Sequence, residues 1–137
     1  MEYYGFKVTK IDDSGFWGCD MLEEIVLPES LLYIGTLAFH GCKSLTKITI
    51  PKNVKEIGSN ILYYSSVVEV EFEKINGWYQ YYEKYNSGGN ITGSYAVDEA
   101  VMSSPEKAAE KLKEKYEYYP SKSNLSRLDG YTFKNSD

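Results

Sequence analysis

Two near copies of one pattern lie 23 residues apart, and no other feature of the chain constrains its fold as tightly. "IDDSGFWGCDMLEEIVLPESLLY" begins at Ile11 and "IGTLAFHGCKSLTKITIPKNVKE" at Ile34. Ile11 matches Ile34, Phe16 matches Phe39, and Gly18-Cys19 matches Gly41-Cys42. Leu22, Ile25, Leu27 and Pro28 match Leu45, Ile48, Ile50 and Pro51. A third copy starts at Ile57-Gly58, keeps Ile61 and Leu62 in register, and then loses one residue. Val67, Val70 and Phe72 thereby take the places of Leu45, Ile48 and Ile50, and Ser65 or Ser66 stands where the cysteine was. Upstream, "VTKI" (Val8 to Ile11) mirrors "LLYI" and "VKEI", so "YYGF" before it reads as the remnant of another strand.

Self-similarity at such a period is the mark of a repeat architecture. Within each copy, LxxIxLP places apolar side chains at alternate positions of a short half-buried strand, and the proline ends its pairing. No copy can bury its apolar side alone, whereas stacked copies form continuous ladders. Strands of successive copies then run parallel, joined by right-handed crossovers. The expected fold is α/β: a right-handed solenoid of about two and a half to three copies over residues 1–74, followed by a cap over 75–137.

The cap departs from the period. Asn76-Gly77 is a turn dipeptide, and from Trp78 to Tyr82 the chain alternates as a strand, with Trp78, Gln80 and Tyr82 on one face. "NSGGN" reads as a loop and "ITGSYAV" as a second strand, completing a hairpin. "SSPEKAAEKLKEKYEYYP" predicts a helix over about 104–119: Ser103 or Ser104 caps it, Pro105 suits its first turn, and Pro120 ends it. Ala108, Ala109, Leu112, Tyr116 and Tyr119 share its apolar face. The tail is polar, with Leu125, Leu128, Tyr131 and Phe133 suggesting partial docking.

Residues 8 to about 72 resemble the BspA-like leucine-rich repeat family, whose 23-residue unit reads roughly as a strand, a proline and "V..IG..AF.GC..L". Departures are Asp12 for glycine, Gly15 for alanine, and the irregular third copy. "GW" after the last strand and "AA..L...Y..Y" near the end extend the likeness into the cap. The resemblance implies a non-enzymatic, protein-binding, adhesion-type module from a cell-surface or secreted protein, this chain being its C-terminal part.

Other function classes find little support. A formal charge of −5 disfavours nucleic acid, and no apolar run approaches a membrane span. "MEYYGFKVTK" lacks the basic-then-apolar pattern of a signal peptide. No phosphate-binding glycine loop is present, so no cofactor is expected. His40 and Cys42 have the residue types of nucleophilic or zinc sites, but Cys42 recurs as Cys19, as packing residues must, and the third copy lacks both types. The two cysteines read as stacked rungs, close enough for a disulfide to be conceivable. His40 stands at a variable position and is expected to be exposed. The carboxylates Glu23-Glu24 and Glu69, Glu71, Glu73 read as a solvated strand face without a cleft. No catalytic or metal-ligating set is assigned.

The candidate binding residues are those that face outward between the buried positions: Glu24 and Val26, Lys47 and Thr49, Glu69 and Glu71. An alternative is a glycan site on the aromatic strand 78–85, using Trp78, Tyr79, Tyr81 and Tyr82. An enzyme of unknown type is the remaining alternative. An exposed strand near Tyr3 to Phe6 would invite edge pairing with a second copy.

Overall fold

The computed structural model describes residues 2–3, 5–86, 89–114 and 131–137, with side chains described except at 2–3 and 83–92. It is a mostly-sheet α/β structure with few helices. Three short strands, β3 (Lys10–Ile11), β4 (Tyr33–Ile34) and β6 (Glu56–Ile57), pair in parallel. Their register, Ile11 to Ile34 to Ile57, is the 23-residue repeat expressed in space. Two longer strands, β5 (Lys47–Ile50) and β7 (Glu69–Phe72), form a separate parallel pair. Here the register steps by 22, with Ile48 opposite Val70 and Ile50 opposite Phe72. The lost residue of the third copy is thus absorbed before its strand. Ser65 occupies the cysteine position, its amide bonding Leu62 as those of Cys19 and Cys42 bond Phe16 and Phe39.

Between these strands the chain turns a corner, and its conformation recurs as faithfully as its sequence. Ser14, Leu37 and Asn60, spaced by 23, all adopt left-handed φ values near +55° (59°, 58° and 53°). Four residues later the left-handed position recurs at Gly18, Gly41 and Tyr64. Between them, alternate amides aim at the next copy. Ser14, Phe16 and Gly18 donate to the carbonyls of Thr36, Ala38 and His40 at 2.8 Å. Leu37, Phe39 and Gly41 repeat the step onto Ser59, Ile61 and Tyr63 at 2.9–3.1 Å. The amides of Gly35 and Gly58 return bonds to the carbonyls of Ile11 and Ile34. Backbone groups that lie outside regular strands are satisfied by the neighbouring copy, as burial demands.

The glycine after each isoleucine is set by this stacking. A Cβ on Gly35 would lie 2.4 Å from the Asp13 amide nitrogen, and one on Gly58 equally close to that of Thr36. Asp12, at the same position in the first copy, is exposed, with no corner packed on it among the described residues. Gly35→Ala is expected to destabilise the fold by about 3 kcal/mol, because backbone rather than a flexible side chain must yield. Urea unfolding checks this directly.

The core runs the length of the stack. Leu31, Ile34, Ala38, Phe39, Cys42, Leu45, Ile48, Ile50, Val54 and Ile57 are fully buried. The first copy is more open: Phe16, Cys19, Leu22, Ile25 and Leu27 are only partly buried against it. No ladder forms at Glu24–Leu27, although Ile25 and Leu27 keep the inward alternation expected of a strand. With apolar contacts on one side only, the first copy presents the right side chains without completing a sheet. The segment before it also differs from expectation. β1 (Glu2–Tyr3) and β2 (Phe6–Lys7) fold back as a small antiparallel hairpin around Gly5, rather than forming one further rung.

The hairpin of the cap is present and longer than expected, β8 (Trp78–Asn86) pairing with β9 (Gly89–Ala96). A single helical turn that the sequence pattern did not suggest, α1 (Glu99–Met102), is capped by the Asp98 side chain accepting from the Ala100 amide. The main helix, α2 (Pro105–Lys113), is capped by Ser104 and packs against β7, burying Ala108, Ala109 and Leu112. It stops earlier than predicted, because Glu114 is already extended. Glu-Lys sequence carries no stop signal there; the Lys113 ammonium donates to the Val67 carbonyl and ties the last turn to the third copy. Tyr116 and Tyr119, predicted on the same face, lie outside the described residues, as do Leu125 and Leu128.

The tail returns to the sheet. β10 (Thr132–Asn135) inserts antiparallel between β6 and β8, giving the order β3-β4-β6-β10-β8-β9. Phe133 is buried at 1% exposure opposite Ile57, and Asn135 bonds the Asn76 carbonyl at 2.9 Å. One sheet therefore runs across the boundary near residue 74 that the sequence pattern suggests.

Candidate functional site

The outward residues of β5 and β7 are held on rigid rungs. Lys47 stands opposite Glu69 and Thr49 opposite Glu71, while the alternate positions Ile48, Ile50, Val70 and Phe72 are buried. This is the period-2 geometry of a sheet with one wet face. The Lys47 ammonium reaches diagonally to the Glu71 carboxylate at 3.5 Å. Both side chains are half-exposed, so this pair orders the face more than it stabilises the fold. Glu24 and Val26 are exposed, Val26 at 93%, but they sit on the segment that forms no ladder. Four of the six outward residues thus sit on paired strands, and Glu24 and Val26 on a segment that makes no ladder.

The aromatic strand is divided. Trp78 is buried at 2% exposure, edge-on to Phe72 at 5.3 Å, and its indole donates to the Lys74 carbonyl at 2.8 Å. It closes the end of the core and offers no face to a sugar. Tyr79, Tyr81 and Tyr82 are half-buried, Tyr82 stacking on Tyr95 at 5.6 Å and Lys134 lying 5.2 Å over Tyr81.

The corners carry a second kind of ladder. Phe16 and Phe39 stack in parallel at 5.5 Å. Cys42 is buried and free, and its thiol donates to the Phe16 carbonyl at 3.1 Å; Cys19 is free as well. Burial pushes the Cys42 thiol above its ordinary range, with the neighbouring Cys19 adding to the shift. It is a poor nucleophile. His40 corrects an expectation: it is half-buried, with both ring nitrogens shielded from solvent. Its ring stacks between Trp17 at 3.7 Å and Tyr63 at 5.4 Å, with Tyr64 edge-on at 5.6 Å. The signal was in the sequence, since 17, 40 and 63 are one repeat position occupied three times by a flat ring. Among the described residues no three His, Cys, Asp or Glu side chains gather as metal ligands would, and no helix is long and apolar enough to cross a membrane.

The repeated corners and rungs decide the family. The family model for the BspA type leucine rich repeat region, in six copies, matches residues 9–137. The chain belongs to the BspA-type leucine-rich repeat family. The match runs through the cap to the last residue, beyond the region where the 23-residue spacing is visible by eye. No curated protein and no solved structure matches the chain. Leucine-rich repeats of this kind are typically non-enzymatic scaffolds for protein interaction.

Proposed function

We propose that this BspA-type chain is a non-enzymatic protein-binding or scaffold module, the C-terminal part of a surface-type repeat protein. In this reading residues 1–74 form a right-handed solenoid of about two and a half to three copies, and residues 75–137 close its end. The partner is a protein that meets the outer face of the stacked strands. The observation that carries this reading is the in-register array of Lys47, Thr49, Glu69 and Glu71 above buried partners, flanked by Glu24 and Val26. Such a face offers fixed spacing at little ordering cost, the economy that preorganised binding surfaces exploit. Acidic groups outnumber Lys47 on it, so the partner's complementary patch is basic.

The test is reversal of charge at Glu24, Lys47, Glu69 and Glu71 together. All are surface groups, so the melting temperature should stay close to wild type. A partner recovered on the immobilised domain, then purified and titrated, should bind the reversed variant about tenfold more weakly or worse. Undiminished binding would place the contact elsewhere.

A further inference from the structure

The corner beside the aromatic column holds a cleft that the strand-face reading leaves unused. It is a shallow, open cleft of about 410 Å³, lined by Trp17, Gly18, Asp20, His40, Gly41, Lys43 and Tyr64. That volume is within the range of small-ligand sites. Gly18 and Gly41 contribute bare backbone to its lining. The rings of Trp17 and Tyr64 both line the cleft and keep much of their surface in solvent, 43% and 68% exposed respectively. His40 lies between them, stacked on one face of Trp17 at 3.7 Å and edge-on to Tyr64 at 5.6 Å.

Tyr64 is the telling residue. It occupies the repeat position that Gly18 and Gly41 fill in the other copies, and it keeps their left-handed backbone, φ 54°. A residue with a side chain is strained in that conformation, and glycine is not. The ring packs against Tyr63 at 4.3 Å and edge-on to His40, yet it stays mostly exposed. Strain retained at an exposed aromatic beside a cleft is a pattern of binding sites.

We propose that this cleft binds a neutral pyranose ring of a glycan. A pyranose has an apolar C–H face and a rim of hydroxyls, so it needs a flat aromatic wall together with polar groups at the edge. The uncovered parts of the Trp17 and Tyr64 rings supply the aromatic surface. Asp20 accepts from hydroxyls and Lys43 donates to them. Their charges offset, so this pair gives neither an anion nor a cation a net attraction. The site is separate from the strand face, so either can fail without the other.

The chain's two tryptophans make the experiment direct, because Trp78 is buried and Trp17 is the one that reports on the cleft. The full chain is screened on an array of neutral glycans, and hits are titrated by tryptophan fluorescence with the corresponding methyl glycosides and short oligomers. Saturable binding is expected, weakened about tenfold or more in Trp17→Ala, and likewise in Tyr64→Gly followed by calorimetry. Tyr64→Gly restores the residue used by the other copies, so it should melt no lower than the wild type while losing the sugar. An array without hits, binding unchanged in both variants, or binding confined to charged probes such as choline or sialic acid would overturn the proposal. So would a Tyr64→Gly chain that unfolds well below the wild type, which would mark the ring as packing.

Discussion

Deleting residues 131–137 is expected to leave a chain that no longer unfolds cooperatively at room temperature. The deletion removes the middle strand that joins the tyrosine-rich hairpin to the repeats. It strips out Phe133, whose burial against Ile57 and the hairpin accounts by itself for about 3–5 kcal/mol by the measure of Phe→Ala substitutions. It also removes the bonds from the Asn135 amide to the Lys55 carbonyl, from the Ser136 amide to the Gly77 carbonyl, and from the Lys55 ammonium to the Asp137 carbonyl. The β6 edge would then be open to pairing with other chains. Circular dichroism melting and size-exclusion chromatography check the result, with broad melting and association expected. Phe133→Ala should reproduce most of the loss. Lys134→Ala on the same strand is the control, changing stability by under about 1 kcal/mol because its contacts to Glu56 and Tyr81 are solvent-exposed. A truncated chain that melts within about 5 °C of the intact one would show the strand to be dispensable.

Phe39→Ala is the second large effect. Phe39 is fully buried in the middle copy, stacked on Phe16 on one side and followed by Leu62 at the equivalent place in the third. Neighbours bonded through backbone on both sides leave little room for collapse, so most of the cavity persists. The expected loss is about 3–5 kcal/mol, a large part of the 5–15 kcal/mol that holds a typical domain. Phe39→Leu, the solution of the third copy, should cost about 1 kcal/mol. Denaturant midpoints at constant slope distinguish the two, and equal losses would mean that the aromatic stack, rather than volume, is what the position requires.

What could be read beforehand was whatever recurs. The inward residues, the register of β3, β4 and β6, and the one-residue slip before β7 all follow from matching positions, because stacking imposes identical demands on each copy. The outward positions Lys47, Thr49, Glu69 and Glu71 followed from the same alternation. Features set by distant partners were harder to see. "TFKN" follows an Asp-Gly turn dipeptide but has only one inward apolar residue, so only the open edge of β6 reveals it as a strand. The end of α2 depends on a carbonyl of the third copy. The missing ladder at Glu24–Leu27 reflects what packs beside that segment, which its own residues do not record. His40 was misjudged by comparing identity instead of shape: tryptophan, histidine and tyrosine are different residues but equally flat, and the column needs flatness.

The corner bonds have a consequence for how such a chain can change in length. Alternate corner amides donate forward to the next copy and the glycine amide donates back, so the two faces of a copy are unlike and complementary. A whole unit spliced in at a junction finds on each side the complementary groups that its neighbours already use. Inverted units would bring like against like. Gene duplication in steps of one unit is thus the natural mode of growth, with the segment between corner and strand left as the place where single residues can be gained or lost.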